Sequence, residues 1–537
     1  MAVETELKLL LPPRAAAGIM RRPGLRNLLE ASNAASAIDG QDGEAQGPVV
    51  RRDKLHTVYF DTPDKWLAKR RMALRVRSLG RKYIQTLKAP APGAAGIQTY
   101  LEIEAEIVRP QPELQAIEDE AVRRRLERAD IWDRLQPAFE TRFQRTHFLL
   151  EREGSAIEVA VDHGDILAGG RRSPIAEIEL ELKRGDARAL FDLAEQLALQ
   201  LAEDYPIRLG GETKAERGFA LAEDLQPMPH KAEPIELAKD VTTEEAFVCI
   251  VRNCLDQLRA NEAAVLKTED DEAIHQFRVA LRRLRAIVST FRHLIDDEVH
   301  AMLSVDLRWL QRQFGPARDL DVLIGDTLSK LQNRLAGQAG FDRLLETASA
   351  ARIEARRTAH LAIENPRYVT MLIQLYRHLH VGDWRRASEH ARLGAPLEEF
   401  AGAVLQVRHK RLVRLGERHG RLPESELHRL RILAKKMRYA AEAFHSLYRP
   451  KHARKYISAL AAIQDRLGSL NDAFVGRHLL NTLVHRLVLE QGMAPADANL
   501  LLGLVLGWQV ARIDRDLGDF REVWHDFAKQ RRFWNGD

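Results

Sequence analysis

The chain has 537 residues, 45% of them hydrophobic and 30% charged, and that length excludes a single core and predicts two to four domains. Its net charge of +5 conceals an asymmetry: residues 231–537 hold 48 Lys and Arg against 40 Asp and Glu, and residues 1–230 hold 34 against 37, which predicts different chemistry in the two parts. Two cysteines, Cys249 and Cys254, exclude a disulfide framework or a thiolate metal site and read as thiols in a reducing compartment.

The opening MAVETELKLL carries acids where a secretory signal would carry a basic region and an apolar core. The most apolar run, Leu500–Trp508, is too short to cross a bilayer. A soluble cytosolic protein without membrane contact is expected.

Residues 1–220 alternate with period two in short runs, a strand signal. Val3–Leu9 places Glu4, Glu6 and Lys8 on one face. Ala73–Arg77 presents Arg75 and Arg77, Tyr83–Lys88 presents Thr86 and Lys88, and Tyr100–Ile107 presents Glu102, Glu104 and Glu106. Ile157–Asp162 presents Glu158 and Asp162, and Ile175–Leu182 presents Glu177, Glu179 and Glu181. Helical periodicity is read over Pro112–Arg128 and Asp186–Ala202, and a loop over Ser32–Pro48.

One charged strand face is ordinarily just the wet side of an antiparallel sheet. Here six runs each give a face to ions, with acids in triplets and bases in pairs. Closing such a sheet would line its interior with both signs. Carboxylates hold hard divalent cations that bridge to phosphates, and Arg grips phosphate oxygens bidentately. Both facing one cavity suit a metal–polyphosphate complex.

Glu4-Thr-Glu6-Leu-Lys8 resembles the E-x-E-x-K signature of the CYTH domain, the triphosphate tunnel metalloenzyme group. The resemblance covers about residues 1–222 and continues through Val58-Tyr-Phe-Asp61-Thr-Pro63, Leu74-Arg75-Val-Arg77, Thr86-Leu-Lys88, Glu102 and Glu104, Arg142 and Arg145, Glu158 with Asp162, Glu177-x-Glu179-x-Glu181, and Lys214 to Arg217-Gly218. It implies an eight-stranded antiparallel tunnel binding a linear triphosphate with Mg²⁺ or Mn²⁺. Glu4, Glu6, Asp162, Glu177, Glu179 and Glu181 would face the metal. Lys8, Arg75, Arg77, Lys88, Arg142, Arg145, Lys214 and Arg217 would hold phosphate oxygens. Glu4, Glu6 and Lys8 would be catalytic, Lys8 assisting the attacking water. Tyr100 stands where many members carry Arg, so one phosphate contact is lost or supplied elsewhere. Arg70 and Arg71 are candidates to compensate, with a solvated turn the preferred reading for both.

Pro227–Pro234, with three prolines, reads as a linker, and from about residue 240 the pattern is helical throughout. The expected division is 1–225, a linker at 226–239, and an all-α domain at 240–537. An internal repeat splits that domain at about 240–385 and 395–537. His275, Arg278, Arg282, Arg283 and Arg285 recur 153 residues later as His428, Arg431, Lys435, Lys436 and Arg438. Each set lies 44 residues, first residue to acid, from an aspartate: Asp319 after Phe314-Gly315, and Asp472 after Leu467-Gly468, both read as turns. At about 100° per residue each basic set falls within an arc of about 160°, opposite Phe277, Leu281, Leu284 and Val288 in the first copy and Leu433, Met437 and Phe444 in the second. A solvated face usually interleaves Glu with Lys or Arg, because like charges at i, i+4 cost a few tenths of a kcal/mol. No acid stands between Gln276 and Ala286 or between His428 and Ala441, so a bound polyanion is expected.

These motifs resemble the CHAD domain over about 240–537, through His275-x-x-Arg278-Val, Leu284-Arg285, Arg318-Asp-Leu-Asp321, and His428-x-x-Arg431 to Arg438-Tyr439. That resemblance implies a helical module binding long-chain polyphosphate through the ten repeated basic residues, and a place beside polyphosphate granules. In the second copy Asn471-Asp472-Ala-Phe474 replaces Arg318-Asp-Leu-Asp321. Asp319 and Asp472 are read as orienting the bases or capping helices.

The expected activity is metal-dependent hydrolysis of tripolyphosphate to diphosphate and phosphate. The alternatives are a non-catalytic polyphosphate scaffold and a tunnel enzyme acting on thiamine triphosphate or ATP. Nucleic acid is disfavoured because the basic faces lack the Asn and Gln that read bases.

Overall fold

The structure, a computed structural model, describes residues 5–38, 50–80, 82–90, 100–128, 130–295, 298–385, 393–418 and 423–535. Glu4 and part of the expected 32–48 loop lie outside them. The chain forms two compact units, residues 1–227 with 363–383, and 228–362 with 384–537.

The first unit is an antiparallel sheet with helices. Its strands are β1 (Thr5–Leu10), β2 (Arg51–Asp61), β3 (Ala73–Leu79), β4 (Lys82–Pro90), β5 (Tyr100–Ile107), β6 (Gln136–Arg152), β7 (Ser155–Ala168), β8 (Arg171–Arg184) and β9 (Arg208–Leu209). They are ordered β5-β4-β3-β2-β6-β7-β8-β1-β9; the two-residue β9 adds to the expected eight. Apolar faces pack outward against helices. Leu190, Phe191, Ala194 and Leu197 of α1 (Ala187–Ala202) are buried, and α1 packs against α2 (Pro366–Val381) of the same unit.

The 17-residue β6 escaped the sequence reading. Its early part buries odd positions, Phe139, Thr141 and Phe143, and its later part buries even ones, Thr146, Phe148 and Leu150. No single phase of alternation therefore persists. The helix read over Pro112–Arg128 forms only at α3 (Glu120–Arg128), because Gln85 pins the Glu113 backbone through both its N–H and its C=O.

The second unit is all helical and contains the repeat in register. Helix α4 (Asp271–Phe291) packs on α5 (Thr243–Ala260) and α6 (Glu298–Val322). Helix α7 (Glu424–Phe444) packs on α8 (Leu397–Gly416) and α9 (Pro450–Gln491). The two basic helices, α4 and α7, also pack on each other. Phe314-Gly315 and Leu467-Gly468, read as turns, lie inside the continuous helices α6 and α9. Neither glycine interrupts its helix, and a Cβ at Gly315 would make only ordinary contact with Arg278 Nη1, at 3.4 Å.

Candidate functional site

Residues from all of β1 through β8 line one cavity of about 720 Å³, so the sheet curls around it. Lys8, Arg75, Arg77, Lys88, Arg145 and Lys214 face it with Glu6, Glu102, Glu104, Glu158, Glu179 and Glu181. Helix α10 (Lys214–Ala222) closes one side. A capping box fixes its start: Thr213 Oγ1 accepts from Glu216 N at 3.1 Å and Glu216 Oε2 accepts from Thr213 N at 2.8 Å. Gly218 lets it sit against the sheet, since a Cβ there would lie 2.0 Å from the Phe139 ring.

Almost every base in the cavity is paired. Arg145 donates Nε–H and Nη2–H to the two oxygens of Asp162 at 2.8 and 2.7 Å and also bonds Glu179. Lys8 bridges Glu6 at 3.2 Å and Glu179 at 3.0 Å. Glu102 takes Arg75 at 3.0 Å and Lys88 at 2.9 Å. Among the bases set on the strands Arg77 is the exception: it forms no ion pair with the described residues, and its Nε is buried without a hydrogen-bond partner. Burial and the neighbouring Arg75 and Arg145 push it down to about 10. Such a guanidinium is ready for an anion.

Asp162, Glu177 and Glu179 bring carboxylate oxygens within 4.8 Å of one another. Asp162 and Glu177 are buried, and hard oxygen donors so arranged fit a divalent cation. Lys214 Nζ lies 2.7 Å from Asp162 and 2.8 Å from Glu179 and contacts Glu177. Burial alone would raise the Glu179 carboxyl; Lys214, Lys8 and Arg145 outweigh it and hold Glu179 well below the usual range. Glu6 goes the other way, raised by burial and by Glu179. Burial would lower Lys8, but Glu179, Glu6 and Glu177 keep it well above its ordinary value. Lys8 is here a cation and not a base.

Three expected residues stand apart. Arg142 is exposed, pairs with Glu140 at 2.8 Å and does not line the cavity, because three positions along a strand from Arg145 puts it on the opposite face. Arg217 reaches Glu177 at 3.2 Å from outside the cavity lining, and Asp162 and Glu177 are themselves buried outside that lining. Glu181 lines the cavity but pairs with Lys183 at 2.6 Å, away from the three clustered acids. The reading also missed cavity residues on the β2–β3 connection. Lys69 and Arg71 line the cavity, Arg71 at φ 56°, while Arg70 stacks 3.9 Å over Trp66. Asp61 shapes that connection by accepting from the N–H groups of Thr62, Leu67 and Ala68 at 2.7–2.9 Å.

In the helical unit the two basic faces converge. Arg278 lies 3.9 Å from Asp319 and Arg431 3.8 Å from Asp472, the same pair in each copy. Arg285 bonds Gln311 and Arg438 bonds Gln464 at 3.3 Å, again repeat-related. Arg282 Nε lies 3.4 Å from Tyr439 Oη on α7. Buried nitrogens of Arg278 (Nε, Nη1), Arg431 (Nε) and His275 (Nδ1) have no hydrogen-bond partner. Burial, then Arg431, Arg282 and Arg278, outweigh Asp472 and push Lys435 down to about 6. Burial and the surrounding arginines hold Arg278 at about 10 despite Asp319. His275 falls to about 4 through burial and Arg318, whereas His428 bonds Asn471 Oδ1 at 2.9 Å.

Arg283 does not join them. It is buried, donating to Gln257 Oε1 at 2.7 Å and Asn253 Oδ1 at 2.8 Å. At about 80° to one side of His275, with Arg278, Arg282 and Arg285 on the other, it turns into α5. Its counterpart Lys436 is exposed, beside Arg408, Arg285 and Arg411, and is lowered by burial and those charges.

An antiparallel sheet curled around paired charges and a helical repeat with a clustered basic face make up a two-part protein. Residues 25–219 match the CYTH domain family and residues 249–481 the CHAD domain family; the chain carries a CYTH domain followed by a CHAD domain. It is 36% identical over 173 residues to an inorganic triphosphatase of Haemophilus influenzae, covering 31% of this chain and 46% of that protein. It is 25% identical over 475 residues to an uncharacterized protein of Mycobacterium tuberculosis, covering 80% of this chain and 82% of that protein. The solved CHAD domain of the plant Ricinus communis aligns with a TM-score of 0.48 at 30% identity, covering 56% of this chain and 96% of that domain.

Proposed function

We propose that the chain is a Mg²⁺- or Mn²⁺-dependent inorganic triphosphatase, hydrolysing tripolyphosphate to diphosphate and phosphate, and that its helical unit binds long-chain polyphosphate. The working division is 1–225 for hydrolysis and 240–537 for binding, joined by 226–239, in a cytosolic protein placed beside polyphosphate.

The observation that carries this reading is the wall of the cavity, where both signs of charge face one space. Anion binding alone would not need the carboxylates. Arg77, Arg75 and Lys88 hold one stretch of the phosphate chain, and Lys8, Arg145 and Lys214 hold the end nearest the acids. Asp162, Glu177 and Glu179 would hold the divalent cation, with Glu6 beside them across Lys8; when bound, it supplies charge neutralisation and acidifies a water. Water oxygen bonds to the terminal phosphorus as the bridging P–O bond breaks and diphosphate leaves, the water's proton passes to a phosphate oxygen and on to solvent, and Lys8 and Arg145 stabilise the negative charge on the oxygens. Lys8, charged in this setting, orients rather than deprotonates.

The relation to the Haemophilus triphosphatase supports the tunnel half of the reading. The buried, unpartnered guanidinium nitrogens of Arg278 and Arg431 support the helical half. Phosphate release from tripolyphosphate, ATP and thiamine triphosphate, each with Mg²⁺, Mn²⁺ or EDTA, tests the activity. Metal-dependent turnover favouring tripolyphosphate is expected; no turnover on any of the three, with polyphosphate still bound, would leave a scaffold.

A further inference from the structure

We infer that Lys214 is a built-in counter-ion for the Asp162–Glu177–Glu179 cluster, displaced by the divalent cation and thereby released to the phosphate chain. This rests on the tunnel being a metal-dependent triphosphate site.

Three observations point to it. Among the described residues the Lys214 ammonium is the one group touching all three carboxylates, so it holds the centre of the oxygen set a metal would use. It satisfies them unevenly: it hydrogen-bonds Glu179 at 2.8 Å and meets Asp162 and Glu177 only as ion pairs. A divalent cation takes six or more oxygen ligands and has no such angular demand on a single N–H. Lys214 also sits at the first turn of a helix whose start is fixed by the Thr213–Glu216 box. Its flexible four-carbon stem can therefore move the charge without moving the backbone.

Charge decides the direction of movement. Three carboxylates here already meet four cations, Lys214, Arg145, Lys8 and Arg217. Adding a divalent ion while all four remain would overfill the site with positive charge. Lys214 then moves towards the phosphates, whose charge it neutralises. Metal and triphosphate therefore favour each other's binding, and by linkage the enhancement is equal in both directions. The resting tunnel is also kept folded around its acids without metal, since unpaired buried charges are costly.

The test is Mn²⁺ binding to the full-length protein, by calorimetry and by the spin-resonance signal of free Mn²⁺, without phosphate and then with a methylene-bridged tripolyphosphate analogue. Lys214→Met is expected to bind Mn²⁺ alone at least about tenfold more tightly than wild type, and to lose most of the enhancement the analogue gives wild type. Lys214→Arg, which keeps the charge in place, should bind no more tightly than wild type. Lys214→Gln, polar in the same buried site, gives the same reading as Lys214→Met should the latter fail to fold. Equal Mn²⁺ affinity in wild type and the neutral variants would overturn the counter-ion role and leave the metal site standing. Absence of Mn²⁺ binding in every variant, with or without analogue, would overturn the metal reading as well.

Discussion

The tunnel and the helical repeat both gather arginines and lysines, yet they treat them oppositely. In the tunnel most bases have a carboxylate within 2.7–3.2 Å, and Lys8, Arg145 and Lys214 are raised above their ordinary values despite burial. In the repeat the bases face each other, the two aspartates stand at 3.8–3.9 Å, and Arg278, Arg431 and Lys435 are all lowered. A paired site holds its charges in place before ligand arrives and can aim them at a reacting bond. One whose cations outnumber their carboxylate partners, as here with Asp319, Asp472 and Glu442 alone among the described residues, leaves its repulsion to be relieved by a polyanion. The first arrangement suits chemistry and the second suits binding.

The sharpest way to break the comparison is to remove a paired charge. Glu179→Gln, which strips Lys8, Arg145 and Lys214 of their shared partner, should lower tripolyphosphate hydrolysis by at least about 100-fold. Retention on long-chain polyphosphate should stay intact; loss of both would merge the two sites. The converse is Arg278→Glu with Arg431→Glu, expected to weaken long-chain polyphosphate binding by about tenfold or more in a filter-retention titration while hydrolysis stays at the wild-type rate. Arg283 is the control: Arg283→Ala removes bonds to Gln257 and Asn253 and should lower the melting temperature without changing polyphosphate affinity.

A smaller effect follows from Lys435. At about 6 in the free protein, it is mostly neutral at pH 8. A bound polyanion favours its charged form, so the complex holds more protons than the free site and binding strengthens as pH falls from 8 to 6. The affinity should rise by about three- to tenfold over that range and the rise should vanish in Lys435→Met. A flat profile in wild type would show the lysine charged throughout. The smallest expected effect is Thr213→Ala, which removes one half of a capping box and should cost about 1 kcal/mol in denaturant unfolding.

Much of this was legible in the residues. Period-two runs gave the charged faces of β1, β3, β4, β5, β7 and β8, and the 153-residue offset gave the paired helices. What failed did so for physical reasons. The β6 strand changes its buried face midway, which hides its period. Arg142 was assigned with Arg145 by motif, although strand parity already separated them. Arg283 lay at the edge of the helical arc, and only packing against Asn253 and Gln257 decided its direction. The pairing of the tunnel charges, and the place of Lys214 among three acids 35 to 52 residues away in sequence, depend on tertiary contacts that no local pattern carries.

The most direct test of the division between paired and unpaired charge is one experiment on two variants. Phosphate release from tripolyphosphate, with Mg²⁺ and with EDTA, is measured beside retention on long-chain polyphosphate for Glu179→Gln and for the Arg278→Glu, Arg431→Glu double variant. The account predicts that the first is retained but does not hydrolyse, and that the second hydrolyses only with metal but is not retained. Either variant losing both properties, or release that persists in EDTA, would contradict it.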